Sequence, residues 1–188
     1  METSITYFDH RGRTNTEKVL ELVQRRANEL GITEIVVPST SGNTGNTAVA
    51  LLSGLQVVVV SHSSGYAEPG RQELPAQVVE ELQAKGARVH TATHAFGGVG
   101  RSVRKKFDTW QVDELIAQTL KRFGEGVKVA IEVSLMAADA GLVSPQREII
   151  SCGGTGRGLD SALVLRPTHA QTFFDLEVLE IICKPRTP

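Results

Sequence analysis

The residues best suited to chemistry fall in four short polar stretches. Ser39-Thr40-Ser41-Gly42-Asn43-Thr44 follows the apolar run Glu34-Ile35-Val36-Val37 and precedes the helix-forming run Ala48-Val49-Ala50-Leu51-Leu52. A strand, a glycine loop and a helix start, in that order, bring free backbone N–H groups and the positive end of a helix dipole to one point. Such a point suits an anion, most often a phosphate. The same residues would also serve simply as helix caps, since Ser, Thr and Asn are preferred there. The second stretch, 61–71, holds His62 and Gly65. The third, 93–100, holds His94 and Gly97, and the fourth, 152–158, holds Cys152, Gly153, Gly154, Thr155, Gly156 and Arg157.

Each side chain carries a chemical reading beside a structural one. Arg157 suits anion recognition, or it is a loop arginine in solvent. Gly153, Gly154 and Gly156 would let the backbone approach a flat ring, or they form a tight turn between strands. His62 and His94 each follow a strand; an imidazole there can hydrogen-bond a ligand or move a proton, or be satisfied by loop backbone. Cys152 has no His and Asp partners identifiable by spacing, so a buried thiol is the better reading. Glu132 and Asp139 read as hydrogen-bonded structural acids, and Arg101, Arg104, Lys105 and Lys106 as a solvated helix face. The common nucleotide-triphosphate loop, the dinucleotide fingerprint and zinc-ligand spacings are absent, so no metal site is expected. A monophosphate with a planar, weakly charged body fits what is left.

The elements that must position these residues alternate. Ile5–Phe8 reads as a short strand. Thr14-Asn15-Thr16-Glu17 has the form of a capping box before a helix that stops at Gly31. Strands are expected over 34–38, 56–60, 87–91 and 148–151, with helices after the first three. Asp108 is expected to cap a helix carrying Val112, Leu115, Ile116, Leu120 and Phe123. Residues 127–140 are apolar almost all round, which predicts a helix buried on most sides. Two further strands follow, Ala162–Leu165 and Leu176–Cys183, the first with little room for a crossover before it. The alternation predicts an α/β fold with a mainly parallel sheet. Right-handed crossovers then gather all four loops at the carboxyl edge, where ligands bind in such sheets.

Composition sets the limits. The chain has 188 residues, 40% of them hydrophobic and 22% charged, as expected of one globular domain over 1–188. A net charge of −1 gives no general attraction to nucleic acid or to an anionic membrane. Met1-Glu2-Thr3 begins no signal peptide, no run is long enough to span a bilayer, and two cysteines fit a reducing cytoplasm. The apolar strands and short chain make a self-associating surface plausible, with a homo-oligomer as its outcome.

Ile35-Val36-Val37, Ser39-Thr40-Ser41-Gly42-Asn43-Thr44, Ala48-Val49-Ala50 and Val57-Val58-Val59-Val60 together resemble the carboxy-terminal α/β domain of pyruvate kinase. Over nearly the whole chain the sequence is similar to stand-alone proteins of that domain type from archaea and bacteria. Glu68-Pro69-Gly70-Arg71, Gly86-Ala87-Arg88-Val89-His90, Gly153-Gly154-Thr155-Gly156-Arg157-Gly158 and Arg166-Pro167-Thr168-His169-Ala170 carry that likeness. It implies a three-layer α/β/α fold with a late antiparallel strand. It also implies flavin mononucleotide (FMN) as ligand, with Ser41, Gly42, Asn43 and Thr44 donating to the phosphate and Ser39 and Thr40 lining the approach. His62, Gly65, His94, Gly97, Gly153, Gly154, Thr155 and Gly156 would then surround the body of the ligand, and Arg157 would either neutralise the phosphate or sit beside the pyrimidine end. The segment Gly42–Thr47 is richer in glycine than the family's loop, which leaves the phosphate contacts open. Three functions are compatible with this reading: a flavin-dependent oxidoreductase of unknown substrate, a non-catalytic sensor of a phosphorylated metabolite, or a subunit of a larger enzyme. Pyruvate kinase catalysis is not expected, because no catalytic barrel is encoded.

Overall fold

A computed structural model describes residues 2–187; Met1 and Pro188, the ends of the expected domain, lie outside it. Among the described residues there are seven strands: β1 (Thr6–Phe8), β2 (Glu34–Pro38), β3 (Gln56–His62), β4 (Arg88–Ala92), β5 (Ile149–Gly153), β6 (Ser161–Arg166) and β7 (Glu177–Pro185). Six α-helices join them: α1 (Thr16–Leu30), α2 (Asn43–Leu51), α3 (Ala76–Ala84), α4 (Val99–Phe107), α5 (Val112–Leu120) and α6 (Glu125–Asp139). The strands form one sheet in the order β1-β7-β6-β5-β2-β3-β4. β6 runs antiparallel to both its neighbours, and every other pairing is parallel.

The sheet is covered on both faces. Ile35, Val37, Val57 and Val59 pack with α1, α2 and Leu82 of α3. Val36, Val58 and Val60 face the other way, against α6, Ala117 of α5 and Phe96. Burial on both faces is why the Val57–Val60 run is unbroken by polar residues. α1 closes on Gly31 at φ 68°, with the Ile32 N–H donating to the Ala27 carbonyl at 2.9 Å. α6 is buried along most of its length, as its composition predicts, and carries Lys128 and Glu132 inside with it.

The direction of chain progression locates the site. From β2 the chain moves through β3 to β4 on one side; after α4, α5 and α6 it returns to place β5 on the other side of β2. The strand order therefore reverses between β2 and β5, and ligands of open α/β sheets bind outside the carboxyl ends at such a reversal. The loops after β5, β2, β3 and β4 stand side by side at that edge in that order.

Several local expectations are corrected. β5 runs to Gly153, so Cys152 is a strand residue and the loop begins at Gly154. Cys152 and Cys183 are both free and buried, and burial pushes the Cys152 thiol far up and that of Cys183 up to about 12. No capping box forms at Thr14–Glu17. Thr16 instead takes the Leu159 N–H on its hydroxyl oxygen at 3.0 Å and donates to the Arg13 carbonyl at 2.8 Å, while the helix starts with no side-chain cap. Asp108 does not open α5; it ends α4 at φ 51°, and Gln111 precedes α5. α4 contains no buried residue, and with α5 it exposes Val99, Phe107, Trp110, Val112 and Leu115. No helix among the described residues is long and apolar enough to cross a membrane.

Candidate functional site

A cleft of about 770 Å³ opens at the carboxyl edge of the sheet, within the range of small-molecule sites. Ser39, Thr40, Ser41, Asn43, Thr44, His62, His94, Gly154, Gly156 and Arg157 line it. The four loops that the sequence marked do converge, although not every residue named in them faces the cavity.

At the β2 end the polar loop is only four residues long, because Asn43 already begins α2. Ser39 is tied at both ends: its N–H donates to the Val60 carbonyl at 2.9 Å, and its hydroxyl accepts the Gly45 N–H at 3.2 Å. The amides of Thr40 to Thr44 take no protein acceptor among the described residues. They collect where the α2 dipole is positive. Gly42 is absent from the lining. Its φ is 94°, and a Cβ there would meet Val78 Cγ1 at 2.2 Å, so this glycine shapes the turn and packs against α3.

The β5 loop is built backbone against backbone. A Cβ on Gly158 would meet the Arg13 Cα at 2.5 Å, and one on Gly12 would meet the Thr155 carbonyl oxygen at 2.8 Å. Asp160, fully buried, accepts the Gly12 N–H at 2.8 Å and the Thr155 N–H at 3.0 Å on the same oxygen. These contacts bring Arg13 and Arg157 to one rim of the cleft. Thr155 does not line it, its amide being spent on Asp160. Gly153 does not line it either; a Cβ there would meet the Gly126 carbonyl oxygen at 1.9 Å, so this glycine lets α6 press on the sheet.

The end of β3 and the loops after β3 and β4 supply an aromatic wall; β3 runs to His62, so this histidine, expected in the loop, is a strand residue. The rings of His62, Tyr66 and His94 stand 4.2, 4.9 and 4.8 Å apart pairwise, and the Arg101 guanidinium lies 5.2 Å from the Tyr66 ring centre. His62 Nδ1 is 2.8 Å from Glu73 Oε2. Burial pushes the His94 imidazole down to about 4; His62, Lys128 and Arg101 act in the same sense, and Glu132 opposes them. His94 is therefore neutral near pH 7. Gly65 and Gly97 do not line the cleft: Gly65 is exposed, and Gly97 lies against the Arg101 side chain, whose nearest atom a Cβ would meet at 2.5 Å.

α6 forms the floor. Glu125, Lys128, Val129, Glu132, Val133 and Met136 all line the cleft, a spacing of three and four that selects one helical face. Lys128 Nζ is 2.5 Å from Glu132 Oε2, and Glu132 Oε1 accepts the Phe96 N–H at 3.0 Å. Glu132 is thus a hydrogen-bonded acid, as its sequence context suggests, and also a cleft residue. Sequence reasoning missed Tyr66, Lys128, Arg13 and Asp160, and placed Arg101 on a solvated face. Only Lys128 left a usable signal: a Lys-x-x-x-Glu pair inside an otherwise apolar helix.

The charge balance favours an anion. Arg13, Arg101 and Arg157 line the cleft with no carboxylate partner among the described residues, whereas Lys121 pairs with Glu125 at 2.9 Å. Among the described residues no group of three His, Cys, Asp or Glu side chains is placed to hold a metal ion. Residues 17–165, which span β2 to β5 and the loops after β2, β3, β4 and β5, match the pyruvate kinase alpha/beta domain family. The chain belongs to that family. This alpha/beta domain is similar to a pyruvate kinase of Cryptosporidium parvum, with 12% identity, a TM-score of 0.44, and coverage of 81% of this chain and 23% of that one. A second structure of pyruvate kinase from the same organism gives 10% identity, a TM-score of 0.43 and coverage of 85% and 24%. The NH3-dependent NAD synthetase of Campylobacter jejuni gives 12% identity, a TM-score of 0.35 and coverage of 57% and 46%. The alpha/beta domain spans about a quarter of the length of the pyruvate kinases it resembles.

Proposed function

We propose that the cleft binds a phosphorylated small molecule, FMN, with its phosphate at Ser39–Thr44 and its ring system towards His62, Tyr66 and His94. The observation that supports this most is the union of two unlike ends in one cavity. One end offers hydroxyls and amides without protein acceptors, with Arg13 and Arg157, which have no carboxylate partner among the described residues; the other offers the rings of His62, Tyr66 and His94, and the apolar Val129, Val133 and Met136 line the same cavity. Neighbouring strands lie about 4.8 Å apart, so the loops after β5 and β4 are separated by roughly 14 Å, room for an elongated ligand laid across the edge.

The donor set fits FMN. Neutral donors and arginines suit a phosphate dianion. Gly154 and Gly156 keep the β5 loop low beside Arg157, at the phosphate end. Bound FMN would supply the capacity to take up and release electrons. The protein would anchor the phosphate, hold the ring against the aromatic wall, and present a neutral His94 as a hydrogen-bonding group. A flavin-dependent oxidoreductase in a reducing, cytoplasmic compartment is the activity we infer, and the two free thiols fit that compartment. Phosphoryl transfer from phosphoenolpyruvate forms no part of this proposal.

A titration of the protein into FMN, followed by flavin fluorescence and absorption, tests the reading. Quenching that saturates at one equivalent supports it. No binding of FMN at high micromolar concentration, together with tight binding of a sugar phosphate, would replace it with a sensor of another phosphorylated metabolite.

A further inference from the structure

Lys128 is the one lysine on the cleft floor that is almost wholly buried, and its setting goes beyond structural pairing. An ammonium group has three N–H donors. One is taken by Glu132 Oε2 at 2.5 Å, and the ammonium lies 5.6 Å from the Phe96 ring centre. No other acceptor meets it among the described residues, and the nitrogen belongs to a side chain that lines the cavity. Glu132, by contrast, is fully engaged: its second oxygen holds the Phe96 amide at 3.0 Å. The carboxylate is thus a fixed post and the ammonium an unsaturated donor turned to the ligand space.

The position of that donor is informative. Phe96 follows β4, the strand furthest from β5 in the site, so Lys128 is tied to the end of the cleft opposite Arg13 and Arg157. The phosphate anchor after β2 has its own amides and hydroxyls. Lys128, with Arg101 and the neutral His94, serves the other end.

We propose that Lys128, held by Glu132, is the residue that recognises the ligand's non-phosphate end, by donating to an electron-rich carbonyl edge such as that of the pyrimidine ring of FMN. This rests on the FMN reading above and adds a consequence to it. A positive charge beside that edge favours the state of the ring that carries more negative charge, so Lys128 raises the reduction potential of the bound flavin. Glu132 is a positioning residue: it acts through Lys128.

The test uses FMN-loaded protein. Lys128→Met alone leaves a buried carboxylate, so the isosteric double variant Lys128→Met/Glu132→Gln is made beside it, with Lys128→Arg as the conservative rescue. The proposal expects the double variant to bind both FMN and riboflavin about tenfold more weakly than wild type, the loss of one charge-assisted hydrogen bond. The two losses should be equal, because both ligands share the ring. It also expects the midpoint potential of bound FMN to fall in the double variant and to recover in Lys128→Arg. An unchanged potential with unchanged affinities overturns the proposal. So does a loss confined to FMN, which would put Lys128 at the phosphate. Wild-type protein that binds neither flavin overturns the proposal together with the reading it rests on, and the wild-type titration tells the two failures apart.

Discussion

Asp160 Oδ2 accepts the backbone N–H of Gly12 at 2.8 Å, joining two segments 148 residues apart. The same oxygen takes the Thr155 amide at 3.0 Å, and Oδ1 takes the Ser161 hydroxyl at 2.9 Å. One fully buried carboxylate therefore fixes the β5 loop to the turn before α1, and with them Arg13 and Arg157. Asp160→Ala removes the acceptor of two backbone amides and of the Ser161 hydroxyl. It should destabilise the fold by about 2–4 kcal/mol and weaken FMN binding at temperatures where the variant is still folded. Urea denaturation at constant m-value measures the first and fluorescence titration the second.

Gly153 and Gly156 belong to one glycine-rich stretch and should behave differently. A Cβ on Gly153 enters the backbone of α6, meeting the Gly126 oxygen at 1.9 Å and the Ala130 nitrogen at 2.7 Å. Neither contact is with a flexible side chain, so Gly153→Ala should cost about 3 kcal/mol or more. Gly156 has open space and a φ of 75°, so Gly156→Ala bears only the left-handed penalty of about 1–2 kcal/mol. Thermal unfolding of the two variants side by side should give a markedly lower midpoint for Gly153→Ala.

This pair also shows what the sequence disclosed. The four loops and their common edge follow from strand–loop–helix alternation, which hydrophobic patterning encodes locally; their order along the edge comes from the sheet topology. The α/β fold was legible in the alternation, and the antiparallel strand was implied by the resemblance to the pyruvate kinase domain; its physical reason is that residues 154–160 leave no length for a crossover helix. The role of each glycine was not legible. Gly153 touches Gly126, and Gly42 touches Val78, through tertiary packing that spacing does not record. Arg13 stood outside every marked loop and reaches the cleft only because Asp160 and Gly158 draw its turn there. Thr14–Glu17 was read as a local capping box, but the hydroxyl that makes contacts there is that of Thr16, and one of its partners, the Leu159 N–H, is distant in sequence.

His94 makes stability depend on pH. Burial lowers its folded value to about 4 from the ordinary 6.5, so the unfolded chain takes up the proton first. The stability that neutral His94 supplies is complete above about pH 6.5 and is lost as pH falls towards 4. The full loss is on the order of 2–3 kcal/mol. His90 is lowered by burial as well, so the quantity to read is the difference between proteins. His94→Gln should flatten the fall in unfolding free energy over that window; parallel curves for wild type and variant would show that His94 does not titrate with folding.

Asn43 is the first residue of α2 and lines the cleft. Asn43→Asp puts a negative charge at the positive end of the helix, which should stabilise the protein by about 0.3–1 kcal/mol. The same charge repels a bound phosphate, so FMN affinity should fall about tenfold or more. Opposite signs in melting temperature and affinity separate a ligand effect from damage to the fold, which Gly42 variants cannot do because Gly42 packs against Val78.

The most direct measurement compares FMN with riboflavin, which lacks only the phosphate, by fluorescence quenching on the same wild-type protein. Amides free of protein partners at Thr40–Thr44, together with Arg13 and Arg157, which have no carboxylate partner among the described residues, predict that FMN binds about a hundredfold more tightly or better. Equal affinities for the two flavins, or no binding of either, would contradict a phosphate anchor at the β2 loop and with it the function proposed for the cleft.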